Sequence, residues 1–175
     1  MESTRPSLPG TWARITARFS AKRDGWFFLV VLAVVALDQA SKWAIRTGLD
    51  RGESWPEGWD IRIVHFVNTG AAFGIFQNSG PLLVITSVIG VAALLVYLFN
   101  PGFAHPMVRL GLALMLGGAI GNLVDRIARG QVVDFLKVPH WPAFNVADSA
   151  ITIGVLCLLW AVLWMDNTEN EPSSS

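Results

Sequence analysis

Charge is what this sequence has least of. Of its 175 residues, 13 are Lys or Arg and 13 are Asp or Glu, so charged side chains make up only 15%. A soluble domain of this size carries about 25%. The two signs cancel, and with no basic field there is no argument for a nucleic acid partner. One cysteine, Cys157, stands alone. That excludes a disulfide within the chain, and a single thiol in an apolar run reads as a packing residue. The three histidines, His65, His105 and His140, are dispersed, with neither an HExxH nor a CxxC pattern. The common zinc signatures are therefore missing, and no metal or other cofactor is expected. No internal repeat is visible, which weakens an inverted-repeat transporter reading.

What remains is apolar. Hydrophobic residues make up 53% of the chain and the mean hydropathy is +0.47. Residues 81 to 99, "PLLVITSVIGVAALLVYLF", carry no charge; at ~1.5 Å per helical residue they cross a hydrocarbon core of ~30 Å. Similar runs occupy 26 to 45, 110 to 124 and 150 to 165, the last two lengthened by 105 to 109 and 143 to 149. The expected architecture is an all-α membrane protein of four transmembrane helices within residues 25 to 165. A basic stretch before an apolar one also describes a cleavable secretory signal. Here the first run continues through Asp38 and Lys42 without a small-x-small cleavage site, so it reads as an uncleaved helix.

Residues 1 to 24 and 166 to 175 read as polar, disordered tails. Arg5, Arg14, Arg18, Lys22 and Arg23 precede the first span, which places the N-terminus in the cytoplasm. Four spans return the C-terminus to the same side. Segment 49 to 80 and the loop between spans three and four then face outward. Within the former, "WDIRIVHFVNTGAAFGIF" opens with alternating β-branched and aromatic residues, and a small extracytoplasmic β-cradle at the membrane surface is expected. Trp43, Trp55, Trp59 and Trp141 lie near the same boundary, where indoles are favoured.

The polar residues of the spans fall at one level. Asp38 and Lys42, four apart, share a face near the outer end of span one. Asn122, Asp125 and Arg126 sit at the outer end of span three, with Asp125 and Arg126 adjacent and so diverging. Asn145 and Asp148 begin span four, and Asp134 lies in the loop before it. Each has a structural reading as well: an i,i+4 pair for Asp38 and Lys42, loop pins for Asp125 and Arg126, caps or interhelical bonds for Asn122 and Asn145. Gly117 and Gly121 make a GxxxG spacing, a common packing device. Ser149 has no adjacent histidine and does not read as a hydrolase nucleophile.

Carboxylates are then the reactive groups. Two held close together cannot both ionise easily. The ionised one can activate water while the protonated one acts as acid, which is peptide hydrolysis without metal or nucleophile. Spacing leaves the pair open among Asp38, Asp125, Asp134 and Asp148. Asp134 and Asp148 are favoured by a small margin, since only Lys137 stands at a pairing distance along the chain.

Five blocks, "DQASK" (38 to 42), "NTGAAFG" (68 to 74), "GGAIGNLVDR" (117 to 126), "GQVVDF" (130 to 135) and "FNVADS" (144 to 149), together resemble the lipoprotein signal peptidase family, bacterial signal peptidase II, in order and spacing across residues 26 to 165. The resemblance implies an aspartic endopeptidase of the bacterial inner membrane, both termini cytoplasmic, with its active site near the outer face. It implies a catalytic pair at Asp134 and Asp148, supported by Asp38, Lys42, Asn68, Gly70, Asn122, Asp125, Arg126 and Asn145. The implied substrate is a prolipoprotein bearing a diacylglyceryl-cysteine, cut just before that cysteine, with membrane lipid as the other partner and a monomer as the working state. Two rival readings are a small transporter, which predicts polar residues through the membrane depth, and a non-enzymatic assembly factor, which would tolerate Asp134→Asn.

Overall fold

The computed structural model describes residues 21–70, 80–98 and 105–168. Four helices and three short strands alternate along them: α1 (Ala21–Gly48), β1 (Ser54–Trp55), β2 (Arg62–Asn68), α2 (Gly80–Leu98), α3 (Pro106–Arg129), β3 (Val132–Lys137) and α4 (Val146–Thr168). Most of both expected tails, and residues 71–74 of the "NTGAAFG" block, lie outside the described residues. The helices claim a little of each tail: α1 begins at Ala21, and α4 continues to Thr168.

Gly25–Gly48, Pro106–Arg129 and Val146–Leu163 are long and apolar enough to cross a membrane. The described apolar stretch of α2, Pro81–Tyr97, is shorter. Against the expectation of four spanning helices, three meet the length on these residues.

Helix α3 is the hub, packed against α1, α2 and α4. Small residues let its neighbours approach. A Cβ on Gly117 would lie 2.7 Å from Val34 Cβ on α1, and one on Gly118 would lie 2.4 Å from the Ala147 carbonyl oxygen on α4. The GxxxG spacing thus serves α1 through Gly117 and Gly121, while the intervening Gly118 serves α4. Phe27, Val31, Leu112, Ala113, Leu116 and Ala161 form the buried apolar core. Leu29, Leu32, Val96, Val162 and Leu163 point outward, as residues bathed in lipid do. Trp43, Trp55, Trp59 and Trp141 are also exposed.

The ends of α3 are set by local chemistry. His105 is its N-cap, accepting the Met107 N–H, with Pro106 at the first helical position, where a missing N–H costs nothing. At the other end Gly130 adopts φ 68°, and its N–H returns to the Arg126 carbonyl. A left-handed C-terminal residue of this kind favours glycine. The turn sends the chain directly into β3.

That strand corrects the sequence reading, which leaves Asp134 in a loop. Residues 132–137 add to the cradle as its third strand, in the order β1-β2-β3, all antiparallel. Asp134 stands opposite Phe66, and Val132 opposite Asn68. The first four residues of "VVDFLK" are buried and the last two half-buried, so it lacks the apolar–polar alternation that marks a half-exposed strand. The fold is therefore mostly helical, with a three-stranded ribbon built from two separated segments.

Candidate active site

Three elements converge on Asp134 and Asp148. Strand β3 carries Asp134, the first turn of α4 carries Asp148, and α3 passes beneath both with Asn122. Asn145 is the N-cap of α4. Its Oδ1 accepts the Asp148 N–H at 3.0 Å, and Asp148 Oδ2 accepts the Asn145 N–H at 3.2 Å. This reciprocal pairing is a capping box with Asp148 in the place usually held by Glu or Gln. The carboxylate also sits where the helix dipole favours negative charge.

The remaining hydrogen bonds come from three asparagines. Asn145 Nδ2 donates to Asp134 Oδ1 at 2.7 Å, and Asn68 Nδ2 donates to Asp134 Oδ2 at 2.9 Å. Asn122 Nδ2 donates to Asp148 Oδ1 at 2.8 Å. Each amide is held by what its oxygen accepts. The Gly70 N–H reaches Asn68 Oδ1 at 2.9 Å, and Lys42 Nζ reaches Asn122 Oδ1 at 2.8 Å. Asn145 thus touches both carboxylates, one through its side chain and one through its backbone.

Asp134 is buried, at 4% exposure. Burial pushes its carboxyl up to about 6, helped by the neighbouring Asp148 charge; the Asn68 and Asn145 hydrogen bonds and the Lys42 charge oppose the rise. A carboxyl so placed holds a proton far more readily than an exposed one.

A second polar cluster lies behind the first. Lys42 Nζ is 2.8 Å from Asp38 Oδ2 and 2.9 Å from Asp125 Oδ2, all three side chains fully buried. The other Asp38 oxygen accepts the Ala147 N–H at 3.0 Å, so α1 supplies a cap for α4. Asp125 Oδ1 meets Arg46 at 3.4 Å and Arg129 at 3.2 Å. Gln39 Nε2 bridges Asp38 Oδ2 and the Gly121 carbonyl at 3.2 and 3.1 Å. Arg126 diverges from Asp125 as adjacency requires, and reaches Ser87 Oγ on α2 at 3.3 Å.

The ten residues singled out in the sequence therefore fall into one connected assembly, with Arg126 on its wall. Three participants were missed: Gln39, Arg46 and Arg129. Arg129 is four residues beyond Asp125, and Arg46 four beyond Lys42, so helical spacing could have found both. Ser149 Oγ donates to the Asn145 carbonyl at 2.9 Å, as expected of a helix residue. Among the described residues no cluster of His, Cys, Asp or Glu could hold a metal ion.

The pair also differs in its access and its partners. Asp134 and Asp148 both line a cavity of about 1140 Å³ between the ribbon and α3 and α4. Asp38 and Asp125 are ion-paired to Lys42, whereas among the described residues no ion pair involves Asp134 or Asp148. Two carboxyl groups on the wall of one cavity, outside any ion pair among the described residues, can share a proton and handle a water molecule.

Comparison with known proteins gives the same chain a family. A family model described as signal peptidase (SPase) II matches residues 30–164. A lipoprotein signal peptidase of Moorella thermoacetica is 45% identical over 139 residues, covering 78% of this chain and 92% of that protein. One from Brevibacillus brevis is 41% identical over 149 residues, covering 83% and 99%. A solved bacterial membrane enzyme, determined by the in meso method at 2.3 Å, superposes with a TM-score of 0.76 at 29% identity, covering 86% of this chain and 94% of its own. A second, at 1.9 Å, gives 0.72 at 32% identity, covering 79% and 93%. With the family match spanning most of the chain, this protein belongs to the signal peptidase II family of bacterial membrane proteases.

Proposed function

We propose that this protein removes signal peptides from prolipoproteins as an aspartic endopeptidase, with Asp134 and Asp148 as its catalytic pair. The activity follows from the family. One observation carries the catalytic type: Asp134 and Asp148 line one cavity, share Asn145 and join no ion pair among the described residues, while the two other buried aspartates are paired to Lys42.

In the proposed reaction Asp148, ionised, takes a proton from water as that water attacks the carbonyl carbon of the scissile peptide. Asp134, protonated, gives its proton to the carbonyl oxygen. The resulting diol collapses, the C–N bond breaks, and a proton passes to the leaving amine of the lipid-modified cysteine. Bound substrate excludes water from the cavity, which strengthens the hold of Asp134 on its proton. Asn68, Asn122 and Asn145 orient the two carboxyl groups; Asp38, Lys42 and Asp125 lock α1, α3 and α4 into the frame that holds them. No cofactor takes part.

The family and the apolar helices make this a bacterial membrane protein. In the proposed topology the chain crosses the inner membrane four times, both termini are cytoplasmic, and residues 49 to 80 form the outer cradle, all within a 25 to 165 core that works as a monomer. The substrate carries a diacylglyceryl group on the cysteine after the bond. That lipid and the apolar signal helix are both held by the bilayer, so the bond rests at the outer interface. The gathering of Asp38, Lys42, Asn122, Asp125, Asp134, Asn145 and Asp148 in one connected cluster supports this arrangement over a transporter.

A gel-shift cleavage assay in detergent tests the proposal. It compares a lipid-modified prolipoprotein with its unmodified form, using wild type, Asp134→Asn and Asp148→Asn. Cleavage of the lipidated form alone, lost in both variants, is the expected result. Turnover by either variant removes that aspartate from the chemistry, and equal cleavage of both substrates removes lipid recognition.

A further inference from the structure

We infer that Arg62 and Lys137 select substrate through a carboxylate on its mature side, an inference that rests on reading the site as a prolipoprotein peptidase. The register of β2 and β3 puts these two cations directly opposite one another, at the end of the ribbon away from Asn68 and Val132. Like charges so paired repel across a ladder. Neither joins an ion pair among the described residues, although the preceding loop contains Asp50, Glu53, Glu57 and Asp60. Glu53 is engaged by the Asp50 N–H. Lys137 Nζ donates to the Trp141 carbonyl at 2.6 Å, which holds the ammonium in place without neutralising it. Arg62 Nε is buried with no hydrogen-bond partner, a state that folded proteins seldom leave unanswered.

Both residues line the cavity that contains Asp134 and Asp148. The site therefore has a reactive end, where Arg126 also stands, and a second end formed by these two cations. Lys137 lies three residues along β3 from Asp134, about 10 Å at ~3.4 Å per residue. The odd spacing turns their side chains to opposite faces of the strand, and the cavity reaches both. An extended peptide advances by nearly the same step as the strand, so a substrate threaded through the cavity would bring its third or fourth residue after the scissile bond to the two cations. The signal helix on the other side of the bond is apolar and would leave both unmet as it displaced water. An Asp or Glu on the mature side meets them with a charge-assisted, fork-shaped contact to arginine.

The test measures kcat and KM on diacylglyceryl lipopeptides that differ only in the third and fourth residues after the bond: Asp, Asn or Lys. Wild type is compared with the Arg62→Gln,Lys137→Gln double variant in detergent at low salt, with and without anionic phosphatidylglycerol. Wild type is expected to bind the Asp peptides about tenfold more tightly by KM than the Asn peptides, the size of a charge-assisted contact, with kcat little changed and the Lys peptides weakest. The preference should shrink with salt and vanish in the double variant. Lys137→Gln alone, at a partly exposed strand end, supplies the comparison if the double variant does not fold. Equal KM for Asp and Asn peptides in wild type overturns the inference while leaving the peptidase intact, as does a preference that survives both substitutions. Loss of phosphatidylglycerol stimulation without any peptide preference reassigns the pair to a lipid headgroup and also overturns it. Failure of wild type to cut any lipopeptide overturns the activity itself, and this inference with it.

Discussion

Asp38, midway along the first helix, accepts the backbone N–H of Ala147, the second residue of the last helix, across 109 positions of sequence. A helix start leaves N–H groups without intrahelical partners, and here one of them is satisfied from another helix. The same carboxylate holds Lys42 through its other oxygen. Asp38 therefore fixes where α4 begins, and with it the positions of Asn145 and Asp148. Asp38→Ala is expected to cost about 3 kcal/mol, since it strips a partner from a buried cation. Thermal melting in detergent checks this, and wild-type melting would refute the role.

Lys42 is the one cation in contact with Asp38, Asp125 and Asn122. Lys42→Met leaves two buried carboxylates facing each other. The expected loss is at least about 3–5 kcal/mol, together with lower activity because Asn122 loses what holds its amide toward Asp148. Restoration of melting by the added change Asp38→Asn would locate the damage in the uncompensated charge.

Asp134→Asn and Asp148→Asn are each expected to lower kcat by about 10²–10⁴, the range of a positioned acid or base. Substrate capture should survive. Single-turnover assays with a lipidated prolipoprotein, beside a binding measurement on the same variants, separate the two effects.

The pH dependence follows from the raised carboxyl of Asp134. Below about 6 it carries a proton and can serve as the acid; above that value the proton, and with it the acid, is lost. The ratio kcat/KM should therefore fall as pH rises through about 6, and kcat, which reports the substrate complex, should fall at higher pH. Stability has a matching sign. The native state holds this proton more tightly than the unfolded chain, whose carboxyl titrates near 3.8. Wild type is thus favoured by the proton below that value and loses the benefit between about 4 and 6. The melting temperature of Asp134→Asn relative to wild type should rise between pH 4 and 7; a flat difference would contradict the burial argument.

Gly118 is one point where α3 and α4 touch, as Gly111 against Gly154 is another. A methyl group there would meet the Ala147 carbonyl oxygen at 2.4 Å and Ile151 at 2.8 Å. Backbone cannot yield as a flexible side chain does, so Gly118→Ala should push α4 outward and separate Asp148 from Asn122. A drop in kcat of at least about tenfold is expected, given the sensitivity of catalysis to misplacement near 1 Å. Gly90→Ala, where an added Cβ meets nothing within 4 Å, is the control.

Much of this was legible before the tertiary structure. The charge-free run at 81 to 99 and its counterparts announce a helical membrane protein, because hydrocarbon accepts only segments whose backbone bonds close internally. The level at which Asp38, Lys42, Asn122, Asp125 and Asn145 gather follows from the lengths of those runs. Adjacency alone predicts that Asp125 and Arg126 diverge, and the folded chain turns the first towards Lys42 on α1 and the second towards Ser87 on α2. The i,i+4 spacing of Asp38 and Lys42 predicts their ion pair.

Other features could come only from the folded chain. The buried run "VVDFLK" becomes a strand because β2, more than sixty residues earlier, offers it a hydrogen-bonding edge; no local pattern records a partner so distant. The distinction among four aspartates is equally non-local. Residue type and spacing leave them nearly equivalent, and the environment separates them: Lys42 neutralises Asp38 and Asp125, while amide donors and a cavity surround Asp134 and Asp148. The sequence by itself determined which helices form and towards which ends of those helices their polar groups gather, because both depend on hydrophobic length and helical period. Only the tertiary structure decided which carboxylates pair with a cation and which line the cavity, because burial and electrostatic partnership are set by contacts between segments far apart in the chain.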